Sequence, residues 1–110
     1  MTARTFDVVI VGGAVMGSSI ACHLALDPDF SGSVLVIEKD PSYRACASAL
    51  SAASIRQQFS DPTNIAISLY GIEFLREIGT RLATGDTRPA IDLHEGGYLF
   101  LATPDKRSSL

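Results

Sequence analysis

The chain has 110 residues, 46% of them hydrophobic and 19% charged, which places it among globular chains of at most one ordinary domain. Its formal net charge of −3, with no basic cluster, speaks against a nucleic-acid surface. No apolar run approaches the roughly 20 residues that a membrane-crossing helix needs, and the stretch ahead of Phe6 has no long apolar leader core.

Residues 6–11 predict a strand. The run Val8, Val9, Ile10, Val11 is uniformly apolar and reads as buried on both faces. It stops at Gly12 and Gly13, and a helical pattern begins at Val15 and extends to residue 27. Strand, glycine turn and helix in that order are the setting of a dinucleotide-binding fingerprint, here with the spacing Gly12-x-Ala14-x-x-Gly17. Gly12 permits the sharp exit from the strand. Position 14 is where backbone approaches a diphosphate, and Ala14 adds a methyl to that gap. Gly17 lets the helix pack closely on the strand, and Ala21 keeps the same face small. The helix N-terminus offers free N–H groups and a positive dipole end to a phosphate. Val15, Ile20 and Leu24, with the small Ala21 and Ala25, are expected to face the sheet. His23 is expected at the solvent edge of the helix. Cys22, within this helix, and Cys46 have no metal-ligand spacing. They fit reduced thiols that serve as small apolar groups in a cytoplasmic protein.

Residues 27–32 are a breaker cluster, and a right-handed crossover places a second apolar strand, 33–38, parallel to the first. It ends in Glu38, about 20 residues beyond the glycines, the interval at which this fold places a carboxylate on a ribose. The plain alternative is a solvated strand end followed by Lys39 and Asp40.

Residues 40–54 are rich in small side chains and carry no charge after Arg44. Backbone there can come close to a flat ligand, and Ser48 and Ser51 can act as helix caps or phosphate donors. A surface loop leading to a short helix fits the same composition. Asp61 or Ser60 at the N-cap and Pro62 in the first turn start the next helix. Its apolar stripe is Ile65, Leu69, Ile72, Leu75 and Ile78. The pairs Glu73 with Arg76 and Glu77 with Arg81 are expected on its exposed side, and Gly79 or Gly85 at its end. Two alternating runs, 91–95 and 98–102, flank Gly96 and Gly97 and predict a β-hairpin. His94 and Glu95 would then point to opposite faces and could not share a metal ion. Residues 104–110 read as a loose polar tail. Two parallel strands and a hairpin are fewer than a dinucleotide-binding fold requires, so the sequence reads as the beginning of something larger.

The fingerprint, Glu38, and the phrase Ser48-x-x-Ser51 followed by Ile55, Arg56, Gln57, Gln58 and Phe59 together resemble the start of the D-amino-acid-oxidase-like FAD-dependent oxidoreductases. That family includes glycine, sarcosine and dimethylglycine oxidases or dehydrogenases. The helix from Pro62 and the phrase from His94 to Leu101 are similar to its bacterial members. The resemblance covers nearly the whole chain but only about the first quarter of a typical member. It implies an α/β fold in which a Rossmann-like βαβ unit binds FAD, followed by a helix and a hairpin that begins a substrate domain. The corresponding division is 1–87 for the FAD-binding part, 88–103 for the hairpin and 104–110 for the tail.

By the same resemblance, Gly12, Gly13, Ala14, Val15, Met16 and Gly17 would hold the FAD diphosphate. Glu38 would hold the adenosine ribose, and Lys39 would lie beside the adenosine. Ser48 and Ser51 would run along the flavin side, and Arg56 would stand near a substrate carboxylate. Alanines at 47, 49, 52 and 53 depart from the family's pattern and put in doubt an active-site histidine or arginine of the sarcosine-oxidase type in this loop. The implied chemistry is oxidation of a C–N bond in a small amine or amino acid. The chain is expected to be an N-terminal portion, inactive alone, whose uncovered apolar faces meet the rest of the protein or drive self-association. Two rival readings are an NAD-dependent dehydrogenase of the same fold and a non-catalytic nucleotide-binding or interaction module.

Overall fold

The computed structural model describes residues 4–99, 101, 103 and 104. It divides into two compact units, Met1–Ser54 and Ile55–Leu110.

The first unit is a βαβ arrangement: β1 (Val8–Val11), α1 (Val15–Leu26) and β2 (Val34–Ile37). The strands are parallel, with Val8 opposite Val34 and Val11 opposite Ile37. Hydrogen-bonded clasps tie the pair just beyond each end. Before the strands, the Asp7 carboxylate accepts from the Ser33 N–H and hydroxyl, both at 2.7 Å. Beyond them, the Gly12 N–H donates to the Ile37 carbonyl at 2.7 Å, and the Gly13 N–H donates to Glu38. These clasps lock the register, which a lone pair of four-residue strands holds poorly.

Helix α1 covers one face of the pair, and the expectation that β1 is buried on both faces is not met. Ile10, at 8% exposure, lies beneath the helix, whereas Val11 is 85% exposed. The predicted inward face of α1 also needs correction. Gly17 is the buried residue, with Ala21 and Leu24 partly buried, while Val15, Ile20 and Ala25 are exposed. The close approach of Gly17 to the Gly12 carbonyl sets the helix rotation, so the larger side chains turn outward. His23 is exposed as expected, with Nδ1 2.8 Å from the Ser19 carbonyl oxygen.

The second unit contains α2 (Pro62–Arg76) and α3 (Ile78–Arg81). Asp61 caps α2 by accepting from the Thr63 and Asn64 N–H groups at 2.9 and 3.1 Å, with Pro62 in the first turn. Ile72 is buried and Ile65, Leu75 and Ile78 are partly so, but Leu69 lies on the exposed side. The helix stops earlier than expected. Glu77 breaks it, α3 adds one turn, and Gly85, at φ +56°, sits in the turn that joins Thr84 to Thr87. Glu77 pairs with Arg81 at 2.8 Å as expected, whereas Arg76 passes over Glu73 for a two-pronged bond to Glu95 at 2.6 and 2.8 Å.

The predicted hairpin does not form: residues 91–99 and 101 carry no strand. Phe100, Ala102 and the tail residues 105–110 lie outside the described residues. Two short strands without a third or a covering helix lack the burial that would hold them. Glu95 turns instead to Arg76, and His94 Nε2 lies 3.1 Å from Asp92.

Candidate functional site

The C-terminal edge of the βαβ unit gathers the fingerprint and the carboxylate. Gly12 leaves β1 at φ +99°, a left-handed conformation that glycine adopts without a side-chain clash. The chain then passes Gly13 and Ala14 into α1, whose N-cap, Ala14, supplies no capping side chain. The Ser18 N–H takes the Ala14 carbonyl at 2.9 Å. The N–H groups of Val15, Met16 and Gly17 precede that bond and have no acceptor within the helix. No acidic residue occupies the first turn, so the positive end of the helix is not neutralised by its own sequence.

Gly17 is required by packing. A Cβ there would overlap the Gly12 carbonyl oxygen and press on Ile10. Gly13 is closely flanked: a Cβ there would stand 2.9 Å from the Tyr43 hydroxyl and 3.3 Å from the Glu38 Cβ. The Ser18 hydroxyl donates to the Gly13 carbonyl and fixes the turn from the helix side.

Glu38 follows β2 directly and folds back over the turn. One carboxylate oxygen accepts from the Gly13 N–H at 2.7 Å and the other from the Asp40 N–H at 2.9 Å. The Asp40 and Gly13 amides hold its pKa below the ordinary carboxylate range. Each oxygen of the ionised group keeps acceptor capacity beyond these bonds, which suits vicinal hydroxyls and opposes a phosphate.

An open concavity of about 350 Å³ lies against this turn, lined by Gly13, Ala14, Val15, Ser18, Tyr43, Cys46, Ser48 and Ala49. Of the predicted site residues it therefore gathers Gly13, Ala14, Val15 and Ser48. Gly12, Met16 and Gly17 build the adjoining turn, and Glu38 joins it through Gly13. Lys39 is exposed at the strand exit. Ser51 is engaged within its own loop, donating to the Ser48 carbonyl at 2.9 Å and accepting from the Ala53 N–H. Arg56 belongs to the second unit, where its guanidinium lies 4.6 Å from the centre of the Phe59 ring.

Tyr43, Ser18, Cys46 and Ala49 are additions that the sequence did not single out. Asp40 and Pro41 mark a turn after Glu38, but which loop residue folds back onto Gly13 is a tertiary outcome. Cys46 is also more than an apolar filler. Its sulfur lies 3.4 Å from the Ser48 hydroxyl and accepts from the Ala49 N–H, contacts that draw its pKa below the ordinary thiol value.

A turn with a free helix end beside an acceptor for sugar hydroxyls fits an adenine dinucleotide, and comparison with known proteins decides which kind. The family model for FAD dependent oxidoreductases (DAO) matches residues 7–110. The chain belongs to this family. FAD is therefore the cofactor, and the NAD-dependent alternative is set aside. Among similar curated proteins is FAD-dependent oxidoreductase domain-containing protein 1 of Xenopus laevis, 47% identical over 102 residues, or 90% of this chain and 20% of that protein. Its namesake in Bos taurus is 44% identical over 102 residues, covering 90% of this chain and 21% of the relative. That of Mus musculus is 40% identical over 108 residues, covering 94% and 22%. The chain thus spans about a fifth of the length of the curated relatives it matches. No solved structure matches it significantly. No helix among the described residues is long and apolar enough to cross a membrane.

Proposed function

We propose that the chain supplies the adenosine-diphosphate half of the FAD site in an oxidoreductase that oxidises the C–N bond of a small amine or amino acid. The observation that carries the cofactor reading is the 2.7 Å bond from the Gly13 N–H to Glu38, which sets a carboxylate beside the uncapped start of α1. In this reading the backbone of residues 12–17 holds the diphosphate, with Gly12 and Gly17 shaping the turn. Glu38 accepts from the ribose hydroxyls and Lys39 borders the adenosine. Ser48 lies toward the flavin side, and Ser51 shapes the loop that carries it. When bound, FAD supplies the redox chemistry by accepting a hydride equivalent from the substrate carbon. This chain contributes orientation and binding, and among its described residues none is placed as the acid or base.

The substrate class rests on the resemblance of the fingerprint and the Ser48–Phe59 phrase to amine and amino-acid oxidases. Arg56, stacked on Phe59, is assigned to the substrate side on the same ground. The hairpin region, 88–103, is assigned to the substrate domain of a longer protein. Two free thiols, Cys22 and Cys46, suit a reducing, cytoplasmic setting.

The deciding experiment substitutes Glu38→Ala in the protein at its natural length. Loss of the ribose hydrogen bonds should weaken FAD binding by about 10- to 100-fold, read as recovery of flavin fluorescence on dilution. Unchanged affinity removes Glu38 from the site. Anaerobic mixing with glycine, sarcosine and dimethylglycine tests the substrate class. Bleaching of the flavin absorbance near its visible maximum is the expected result for at least one of them.

A further inference from the structure

Tyr43 stands out on three counts. It holds a left-handed backbone at φ +56° without being glycine, a conformation that persists only where the surroundings impose it. Its ring lines the concavity against the glycine turn, and its hydroxyl sits 2.9 Å from where a Cβ on Gly13 would be. Among the described residues, that hydroxyl makes no hydrogen bond to the protein. A strained backbone thus delivers a polar group onto the phosphate turn and leaves it without a protein partner.

We propose that Tyr43 is a cofactor-binding residue whose hydroxyl donates a hydrogen bond to the diphosphate of FAD as it crosses Gly13. The assignment rests on the nucleotide-site reading above. Glu38 and Tyr43 flank Gly13 with opposite chemistry. Glu38, an ionised acceptor, suits sugar hydroxyls. The phenol, an O–H donor, suits an anion. From Gly13 the concavity continues along Ala14, Val15 and Ser18, the start of α1, where a diphosphate gains the helix dipole as well. A Cβ at position 13 would press on the Tyr43 hydroxyl and on the Glu38 Cβ.

The test compares ADP with adenosine, each competing with FAD for the apoprotein at its natural length. Tyr43→Phe keeps the ring and removes the donor. It should weaken ADP binding by about five- to tenfold while leaving adenosine binding unchanged, since adenosine has no diphosphate. Glu38→Gln should weaken both. Unchanged ADP binding in Tyr43→Phe, with both ligands weakened in Glu38→Gln, overturns the Tyr43 assignment and leaves the site reading standing. Equal loss of ADP and adenosine in Tyr43→Phe also overturns it, because the effect would then not be on the diphosphate. Failure of Glu38→Gln to change either ligand, or of ADP to bind the unsubstituted protein, overturns the site reading and the assignment with it.

Discussion

Two glycines in different settings test how far close approach, and not chain flexibility, governs this fold. At Gly17 a Cβ would meet the Gly12 carbonyl, and neither backbone can move without breaking the β1–α1 turn. Gly17→Ala should cost about 3 kcal/mol, the upper part of the range for overpacking, read as a shift in the urea midpoint. At Gly71, inside α2, nothing lies within 4 Å of an added Cβ. Gly71→Ala should stabilise by about 0.5–1 kcal/mol through helix propensity and a less disordered unfolded chain. The importance of Gly17 was legible from the spacing Gly12-x-Ala14-x-x-Gly17, because the packing partner is local. Tyr43 was not legible, because four residues separate it from Glu38 and no pattern says which loop residue returns to Gly13. The carboxylates add a pH prediction at the same scale. Asp7, bonded by Ser33, and Glu38, bonded by the Asp40 and Gly13 amides, both have depressed pKa values. A depressed value means that the folded state binds fewer protons than the unfolded one. Their contribution is therefore present above about pH 4 and is lost as pH falls through the folded values. A thermal midpoint that falls more steeply below pH 4 than that of Asp7→Asn, Glu38→Gln is the expected result.

Among the elements, those with local causes were the readable ones. The strands, α1 and the start of α2 follow from apolar runs bounded by Gly12, by residues 27–32 and by the Asp61–Pro62 cap. Asp61→Ala should cost about 1 kcal/mol, measured by loss of helical circular dichroism on heating. What failed depended on partners. The outward turn of Val15 and Ile20 follows from the Gly17 contact, which sequence periodicity does not weigh. The hairpin at 91–102 had the right alternation and the right glycines, but strands need neighbours, and Glu95 is drawn to Arg76 instead. Both side chains of that pair are about half exposed, so it orders the segment more than it stabilises it.

For the molecule as a whole, exposure is the dominant fact. Ile10 and Ile72 are the only buried hydrophobic residues among those described, and no large side chain is fully buried. In the first unit, Val9, Val11 and Ile37, on the face opposite Ile10, leave one side of the parallel pair open to water, whereas parallel strands ordinarily have both faces covered. These 110 residues expressed alone should bind a hydrophobic dye and sediment above their 11.7 kDa mass. A monodisperse, dye-silent monomer would contradict this. The role of Glu38 in closing the open end of the two strands carries the matter into the cell. A group that ties Gly13 to the exit of β2 and, as proposed, also accepts from the ribose would link folding to occupancy, since whatever binds only the native state raises its stability. Where riboflavin is scarce, the unliganded protein should be turned over faster by proteases, so its abundance would follow vitamin supply.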